Sequence, residues 1–424
     1  MRILLVSDYG TPTGGAEIQF VGLREELRKR GHDARWFTTS ARPNGAQSLS
    51  DAACFGTTSR FRTLLQTANP WAWAGLRRVM AEFRPDVVHV KIFLTQLSPL
   101  ILPLLRQTPS LYHVVWYRPV CPTGTKILPN GAACRHSPGV ACLRSGCLPA
   151  HDWAPLMLQM KLWRRWRDVF DLIVANSHAT KQRLLAEGIE PVDVLWNGVP
   201  PRAMRPPLPS QPTVVFAGRL VWEKGIDVLL HAFSQIRRQI PAARLLIAGE
   251  GPERANLETL VATLGLRESV TLLGRLPRAQ LEHVCEGAWV QVVPSRWDEP
   301  FGIVAAEASM RGTAVIASSS GGLAEIVQDG RTGYLTPPGE EGPLADALRK
   351  LLSDRDEAER MGCAGREVAL TSFNETLVAD QFLERYRNIS QGSGVRGQGS
   401  GVRGQGSGKR EQEMTDHRQP TTGN

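Results

Sequence analysis

Short apolar runs alternate with segments of helical spacing along most of the chain. Arg2–Ser7 reads as a strand, and Ala16–Arg30 carries helical spacing closed by Gly31. Ala34–Thr38, Arg84–Val90, Leu111–Trp116, Leu172–Asn176 and Val192–Val199 repeat the strand signal. Runs such as DVVHV are apolar without strict alternation, which marks a parallel strand buried on both faces. The stretch VPPRAMRPPLPSQP, Val199–Pro212, then breaks the pattern. Proline fixes φ and removes a backbone donor, so neither a helix nor a central strand runs through it. Beyond it the alternation restarts, with strands expected at Thr213–Ala217, Ala243–Ala248, Val270–Leu273, Val290–Val293 and Ala314–Ala317.

Strand–helix alternation on both sides of a linker predicts an α/β protein of two doubly wound, Rossmann-like parallel-sheet domains. In such sheets ligands bind beyond the carboxyl ends of the strands, so two facing sheets make a cleft. The expected units are residues 1–199, a linker over 200–212, a second domain over 213–373, a helix over 374–390 and a tail over 391–424. The tail repeats QGSGVRG and has no core-forming pattern, so it is expected to be disordered.

Composition narrows this picture in three ways. With 424 residues, 42% hydrophobic and 21% charged, the chain has material for two cores. No apolar run approaches the roughly 18 residues that cross a membrane. The N-terminus, MRILLVSDYG, reads as a first strand rather than a signal peptide. The expected compartment is therefore a reducing cytoplasm, with peripheral contact at the inner membrane face left open. Seven cysteines, an odd number, argue against a full disulfide framework. Charge is uneven: residues 1–200 carry 24 Lys/Arg against 14 Asp/Glu, whereas the remainder is nearly balanced. That excess suits an anionic or lipid-linked partner, or is simply a solvated surface. Nothing points to nucleic acid.

The candidate chemistry gathers in the second half. In VVFAGRLVWEKGIDVLL, a buried strand ends at Gly218, Arg219 follows, and Lys224 stands at the start of a helix. Two cations beside a helix N-terminus suit a diphosphate. The phosphate-loop pattern with its terminal Lys-Ser/Thr is absent. LLIAGEGPER places Gly249 and Gly251 after another strand, where a ligand or a second backbone can come close. In EPFGIVAAEA, Pro300 keeps Glu299 in a loop, while Glu307 falls on the helix that follows. The free N–H groups of Phe301, Gly302 and Ile303 point between them. Carboxylates that accept and N–H groups that donate suit a polyol better than a glycosidase acid/base pair. In the first half, TPTGGAE can bring the backbone at Gly14 and Gly15 close to phosphate or sugar. It lacks the G-x-G-x-x-G fingerprint of nicotinamide binders.

Taken in order, GGAE, FAGRLVWEKGID, GEGP, VTLLGRL, EPFGIVAAEA and SSGGLAEIVQDGRTGYL resemble the retaining nucleotide-sugar glycosyltransferases of family four, which have the GT-B fold. The resemblance covers roughly residues 1–388. It implies transfer of a hexose-type sugar, with retention, from a UDP- or GDP-linked donor to a hydroxyl acceptor: a glycan, a lipid-linked group or a small molecule. It implies that Arg219 and Lys224 hold the donor diphosphate in place of a metal, so that no cofactor is required. Glu299 would contact the donor sugar and Glu307 the ribose, while Gly274, Arg275 and Leu276 would border the base. Gly218 belongs to the same donor side. The first domain would bind the acceptor, and the final helix would cross back to it. A same-fold epimerase and a catalytically silent nucleotide-sugar-binding scaffold are the rival readings.

The first half departs from the family pattern. Many members carry His-Asp at the end of the strand matching Leu111–Trp116, where this chain has Val115-Trp116. His113 falls inside the strand and reads as a packed residue. His113, His89 and Arg118 remain the candidates for the acceptor side. Cys121, Cys134, Cys142 and Cys147 form a cluster without any C-x-x-C. A structural metal and reduced thiols are both compatible with it. PLMLQMKLWRRWRDVF, Pro155–Phe170, is expected to pack or line the cleft, with a bilayer surface as the alternative.

Overall fold

The computed structural model describes residues 1–11, 14–42, 47–59 and 62–392. The repeats expected to be disordered, from residue 393 onward, lie outside the described residues.

Seven strands form the first sheet: β1 Arg2–Tyr9, β2 Asp33–Thr39, β3 Ala52–Cys54, β4 Val87–Val90, β5 Ser110–Val114, β6 Leu172–Ala175 and β7 Val192–Val194. Their spatial order is β3-β2-β1-β4-β5-β6-β7, and every pairing is parallel. Six more form the second sheet: β8 Thr213–Ala217, β9 Arg244–Ala248, β10 Val270–Gly274, β11 Val290–Val293, β12 Ala314–Ser318 and β13 Gly333–Thr336. Their order is β10-β9-β8-β11-β12-β13, again all parallel. In each sheet the chain starts centrally, winds to one edge, then returns across the start. That reversal leaves a crevice at the carboxyl ends of the central strands.

Two short edge strands, β3 and β13, carry too little pattern to be read from sequence. The expected run Val192–Val199 stops at Val194, because the chain leaves the sheet to cross between domains. At that crossing Val199 N–H donates to Phe373 O at 2.7 Å, and Glu375 N–H donates to Val199 O at 3.1 Å.

The last helix, Glu375–Gly392, packs on the first sheet. Its Val378, Phe382, Leu383 and Tyr386 join a core with Phe20, Leu23 and Trp36. Each large apolar side chain buried there contributes about 1.5–3 kcal/mol. The two halves are also latched across the cleft. Glu325 accepts from His178 N–H at 2.9 Å, Ala179 N–H at 2.8 Å and Trp196 Nε1 at 3.0 Å. His178 and Ala179 open the helix His178–Leu185, where a carboxylate meets both free N–H groups and the positive end of the helix dipole. Thr180 Oγ1 adds a bond to Pro300 O at 3.1 Å.

Candidate active site

A cleft of about 770 Å³ lies between the facing sheet ends. Its wall follows the strands in turn. Tyr9 ends β1, Trp116 lies just past β5 and Asn176 follows β6; from the other half Arg219 comes after β8 and Glu299 after β11. Gly14 and Gly15 line it from the first half. A Cβ on Gly15 would stand 3.3 Å from Ile303 Cγ2, so this glycine turn lets the two halves approach.

Backbone geometry sets the second-half groups. Gly225 has φ 64°, and a Cβ there would lie 2.1 Å from Pro294 O. Only glycine lets the loop after β8 press onto the end of β11. Lys224 is thereby carried onto the Glu299 carboxylate, with which it is paired. Ser295 Oγ donates to the same Oε1 at 2.7 Å. Gly321 and Gly322 pack on the Glu299 loop from below, where Gly322 N–H donates to Glu299 O at 2.7 Å. Burial pushes the Glu299 carboxyl up, but the Lys224 charge and the hydrogen bonds outweigh it and hold the group below its ordinary range. Glu299 is therefore a carboxylate near neutrality, not a proton donor.

Arg219 differs: its side chain is 69% exposed, and Glu223 stands 3.7 Å away. Gly302 caps the helix Ile303–Arg311 with φ 104°, leaving the first N–H groups of that helix without intrahelical partners. Arg219 and this helix start both border the cleft. Lys224 stands behind them, 5.7 Å from the Trp297 ring centre.

Other expected residues are placed elsewhere. Gly249 and Gly251 do permit a close approach, but to backbone. Cβ atoms there would lie 1.8 Å from Gly218 O and 2.2 Å from Leu220 O, so these glycines join neighbouring loops rather than admit a ligand. Gly218 donates its N–H to Ala248 O within the same junction. Arg275 and Leu276 follow β10 and are not among the residues lining the cleft. Glu307 is also off the wall: Arg278 Nη2 stands 2.6 Å and Arg202 Nη2 3.8 Å from its Oε1.

His89 and His113 do not reach the cleft. Strand alternation turns both to the face of the first sheet covered by the last helix, opposite Val88, Val90, Tyr112 and Val114. His89 Nδ1 stands 2.6 Å from Tyr386 Oη, and both rings lie against Phe382. Burial pushes both imidazoles well below their ordinary range, so they are neutral packed residues. Arg118, by contrast, does line the cleft.

The cysteine cluster is not assembled as a ligand set. Cys121, Cys134, Cys142 and Cys147 are free thiols around a small second cavity. Among the described residues no group of three or more His, Cys, Asp or Glu is placed to hold a metal ion. The sulfurs are directed to local partners: Cys121 Sγ lies 3.1 Å from Thr123 Oγ1, and Cys134 Sγ 3.8 Å from His136 O. The helix bearing PLMLQMKLWRRW, Ala150–Trp166, buries Leu156, Met160 and Trp163 and offers Asp152 and Leu156 to the cleft.

Three cleft residues escaped the sequence reading. Trp116 Nε1, Asn176 Oδ1 and Asn197 Oδ1 are buried polar atoms without a hydrogen-bond partner among the described residues. Each such atom costs about 1–3 kcal/mol unless a water or a ligand meets it. Trp116 and Asn176 both end apolar strand runs, and that position was the available signal.

The chain matches two family models end to end. Residues 13–203 match glycosyltransferase family 4, and residues 204–368 match glycosyl transferases group 1. It is 28% identical over 427 residues to a glycogen synthase of Mycobacterium tuberculosis, spanning 92% of this chain and 96% of that protein. It is 35% identical over 236 residues to a GDP-mannose-dependent alpha-(1-6)-phosphatidylinositol monomannoside mannosyltransferase of the same organism, spanning 51% of this chain and 61% of that one. Among solved structures, a sucrose-phosphate synthase from Thermosynechococcus elongatus aligns with a TM-score of 0.72 at 24% identity, over 92% of this chain and all (100%) of that one. Anabaena Alr3699/HepE in complex with UDP-glucose aligns with a TM-score of 0.65 at 20% identity, over 92% and 100%. Two parallel-sheet domains facing across a cleft, with these neighbours, define the GT-B fold. The chain is a GT-B glycosyltransferase, with a family 4 first half and a group 1 second half.

Proposed function

We propose that the chain transfers a hexose-type sugar from a nucleoside diphosphate donor to a hydroxyl acceptor with retention of configuration. The donor lies on residues 213–373 and the acceptor on residues 1–199. The observation that carries this reading is the convergence at one cleft edge of Arg219, the Lys224–Glu299 pair and the helix start at Gly302. Arg219 and the helix N–H groups meet the diphosphate, and Lys224 adds positive charge behind it. As the bond from the anomeric carbon to the β-phosphate oxygen breaks, these groups stabilise the charge growing on the leaving diphosphate. The departing oxygen takes the acceptor hydroxyl's proton while the acceptor oxygen bonds to the same face of the sugar. No side-chain base is needed, in keeping with the sealed histidines. Glu299, ionised and fixed by Lys224 and Ser295, accepts from a sugar hydroxyl and orients the ring. The UDP-glucose complex of the Anabaena neighbour and the GDP-mannose dependence of the mycobacterial relative support a nucleotide-sugar donor and leave both bases in play.

Calorimetry and turnover with UDP- and GDP-sugars test this. Glu299→Ala should bind free nucleoside diphosphate nearly as the parent does and lose about 10- to 150-fold in turnover, the worth of a charge-assisted hydrogen bond. Glu307→Ala tests the ribose role that the family resemblance implies: weakened nucleoside diphosphate binding would support it, although Glu307 stands off the cleft wall beside Arg278. Unchanged nucleotide affinity in Glu307→Ala would remove the ribose role. Product of inverted configuration would overturn retention, and nucleotide binding without transfer or donor hydrolysis would favour a silent scaffold.

A further inference from the structure

The first half of the cleft holds a buried cation, Arg118, to which no carboxylate among the described residues is bonded. Arg118 is only 6% exposed. Its guanidinium donates to Gln66 Oε1 at 2.6 Å and to Leu94 O at 3.3 Å, both neutral acceptors. Burying an ionised group against neutral partners is costly unless an opposite charge arrives. Asp8, whose charge does reach Arg118, makes no hydrogen bond to it and already accepts from the N–H groups of Thr95 at 2.8 Å, Gln96 at 2.9 Å and Leu97 at 2.8 Å. Of the acids lining the cleft, Glu299 is held by Lys224, and Asp152 stands 3.6 Å from His151 Nε2. Glu17 folds back over its own helix start, its Oε2 lying 2.5 Å from where a Cβ on Gly14 would stand.

The surroundings of Arg118 add donors. Arg62 lines the same cleft, and the Trp116 ring lies 6.0 Å from the Arg118 guanidinium carbon. The indole Nε1 of Trp116 is a buried donor without a partner. The sequence agrees: no Asp or Glu occurs between Asp86 and Asp152, a stretch that holds Lys91, Arg106, Arg118, Lys126, Arg135 and Arg144. Much of the first-half wall is drawn from it.

We propose that Arg118, with Arg62 and the Trp116 indole N–H, binds a phosphate group carried by the acceptor. Three donor groups suit the several oxygens of a phosphate, and the guanidinium fork matches two of them at once. This rests on the reading that residues 1–199 hold the acceptor, and it names that acceptor's chemical class. The phosphate comes either from a soluble phosphorylated acceptor or from a lipid headgroup.

The test uses the full chain carrying Arg219→Ala with Lys224→Met and Glu299→Gln, so that the donor-side cations are gone without a buried charge left unpaired. Inorganic phosphate titrated into this protein by calorimetry should still bind. Adding Arg118→Gln should weaken it at least tenfold, roughly the loss of one charge-assisted bond; Arg62→Gln, on the exposed rim, should weaken it severalfold. If Arg118→Gln melts well below its parent, Arg62→Gln decides the matter. No phosphate binding, binding indifferent to the deciding variant, or acetate bound as tightly as phosphate would overturn the proposal. Cosedimentation with phosphatidylglycerol vesicles but not phosphatidylcholine vesicles, lost with Arg118→Gln, assigns the phosphate to a lipid. Phosphate binding without cosedimentation assigns it to a soluble acceptor, and both support the site. Failure of the parent chain to bind UDP or GDP would count against the donor reading alone, since the phosphate titration does not depend on it.

Discussion

Each half of the molecule places a cation at the carboxyl ends of its sheet, half-buried Lys224 in one and buried Arg118 in the other, and the two are handled in opposite ways. In the second half Lys224 meets Glu299, and Ser295 completes the carboxylate's shell. In the first half Arg118 meets only an amide and a carbonyl oxygen. Burial pushes the Arg118 guanidinium down to about 10, whereas Glu299, equally enclosed, is held low by its partner. A charge compensated internally orients a ligand without needing it. A charge left uncompensated favours a ligand that brings the missing sign. On the proposed assignment, the donor side is preorganised and the acceptor side is completed on binding.

The largest expected effect comes from breaking the compensated pair. Lys224→Ala leaves Glu299 buried beside Ser295 alone, which should cost about 3–5 kcal/mol of stability as well as turnover. Lys224→Met with Glu299→Gln should recover most of the stability but not the activity. Urea unfolding of the three proteins checks this, and a single variant as stable as the parent would refute the pairing.

Next is the latch between the halves. Glu325→Ala removes the acceptor for His178 N–H, Ala179 N–H and Trp196 Nε1, leaving the cleft chemistry in place. KM should rise by about 3- to 30-fold, one to two hydrogen bonds' worth, with a smaller change in kcat. A fall in kcat alone would show that the latch does not set closure.

A smaller effect is expected from the sealed histidines. Their rings stay neutral in the fold well below the pH near 6.5 at which an unfolded histidine titrates. Below that pH the unfolded chain therefore binds more protons, and stability falls with acidification by up to about 1.4 kcal/mol per histidine per pH unit. Comparing urea unfolding at pH 7.5 and 5.5, His113→Gln should lose less stability than the parent over that span. Equal losses would mean that His113 is protonated inside the fold.

The smallest effect belongs to Arg118→Met. Removing an uncompensated buried charge while orphaning Gln66 Oε1 should leave ligand-free stability within about 1 kcal/mol of the parent. Calorimetric melting without ligand checks it. A loss as large as that of Lys224→Ala would show that the two cations are compensated alike.

Much of the second half was legible because its chemistry is local in sequence. Arg219 and Lys224 follow one strand, Glu299 another, and the glycines that seat them stand in the same loops. Pro300 placed Glu299 outside the helix, as observed. The same locality left Gly249 and Gly251 open, since a glycine turn announces a close approach without saying whether a ligand or a backbone approaches. In the first half the informative residues are scattered. Arg62, the loop carrying Trp116 and Arg118, Asn176 and Asn197 lie far apart in the chain and meet only once the sheet is assembled. His89 and His113 lie at or near strand ends, yet the turn of each side chain toward one face depends on register. The Cys-rich stretch has little regular structure to phase its sulfurs, and their spacing alone did not decide between a metal site and free thiols.

By itself the sequence determined the alternation of strand and helix, the break at the proline-rich linker, and the cations that follow β8. These depend on backbone propensity and on periodicities within a few residues. Tertiary structure alone decided that Lys224 pairs with Glu299, that the two histidines are sealed beneath the last helix, and that Arg118 stands in the cleft without a carboxylate. Those outcomes depend on which face of a strand meets which element and on the sum of charges within a few ångströms. Both are set by contacts between residues far apart in the chain.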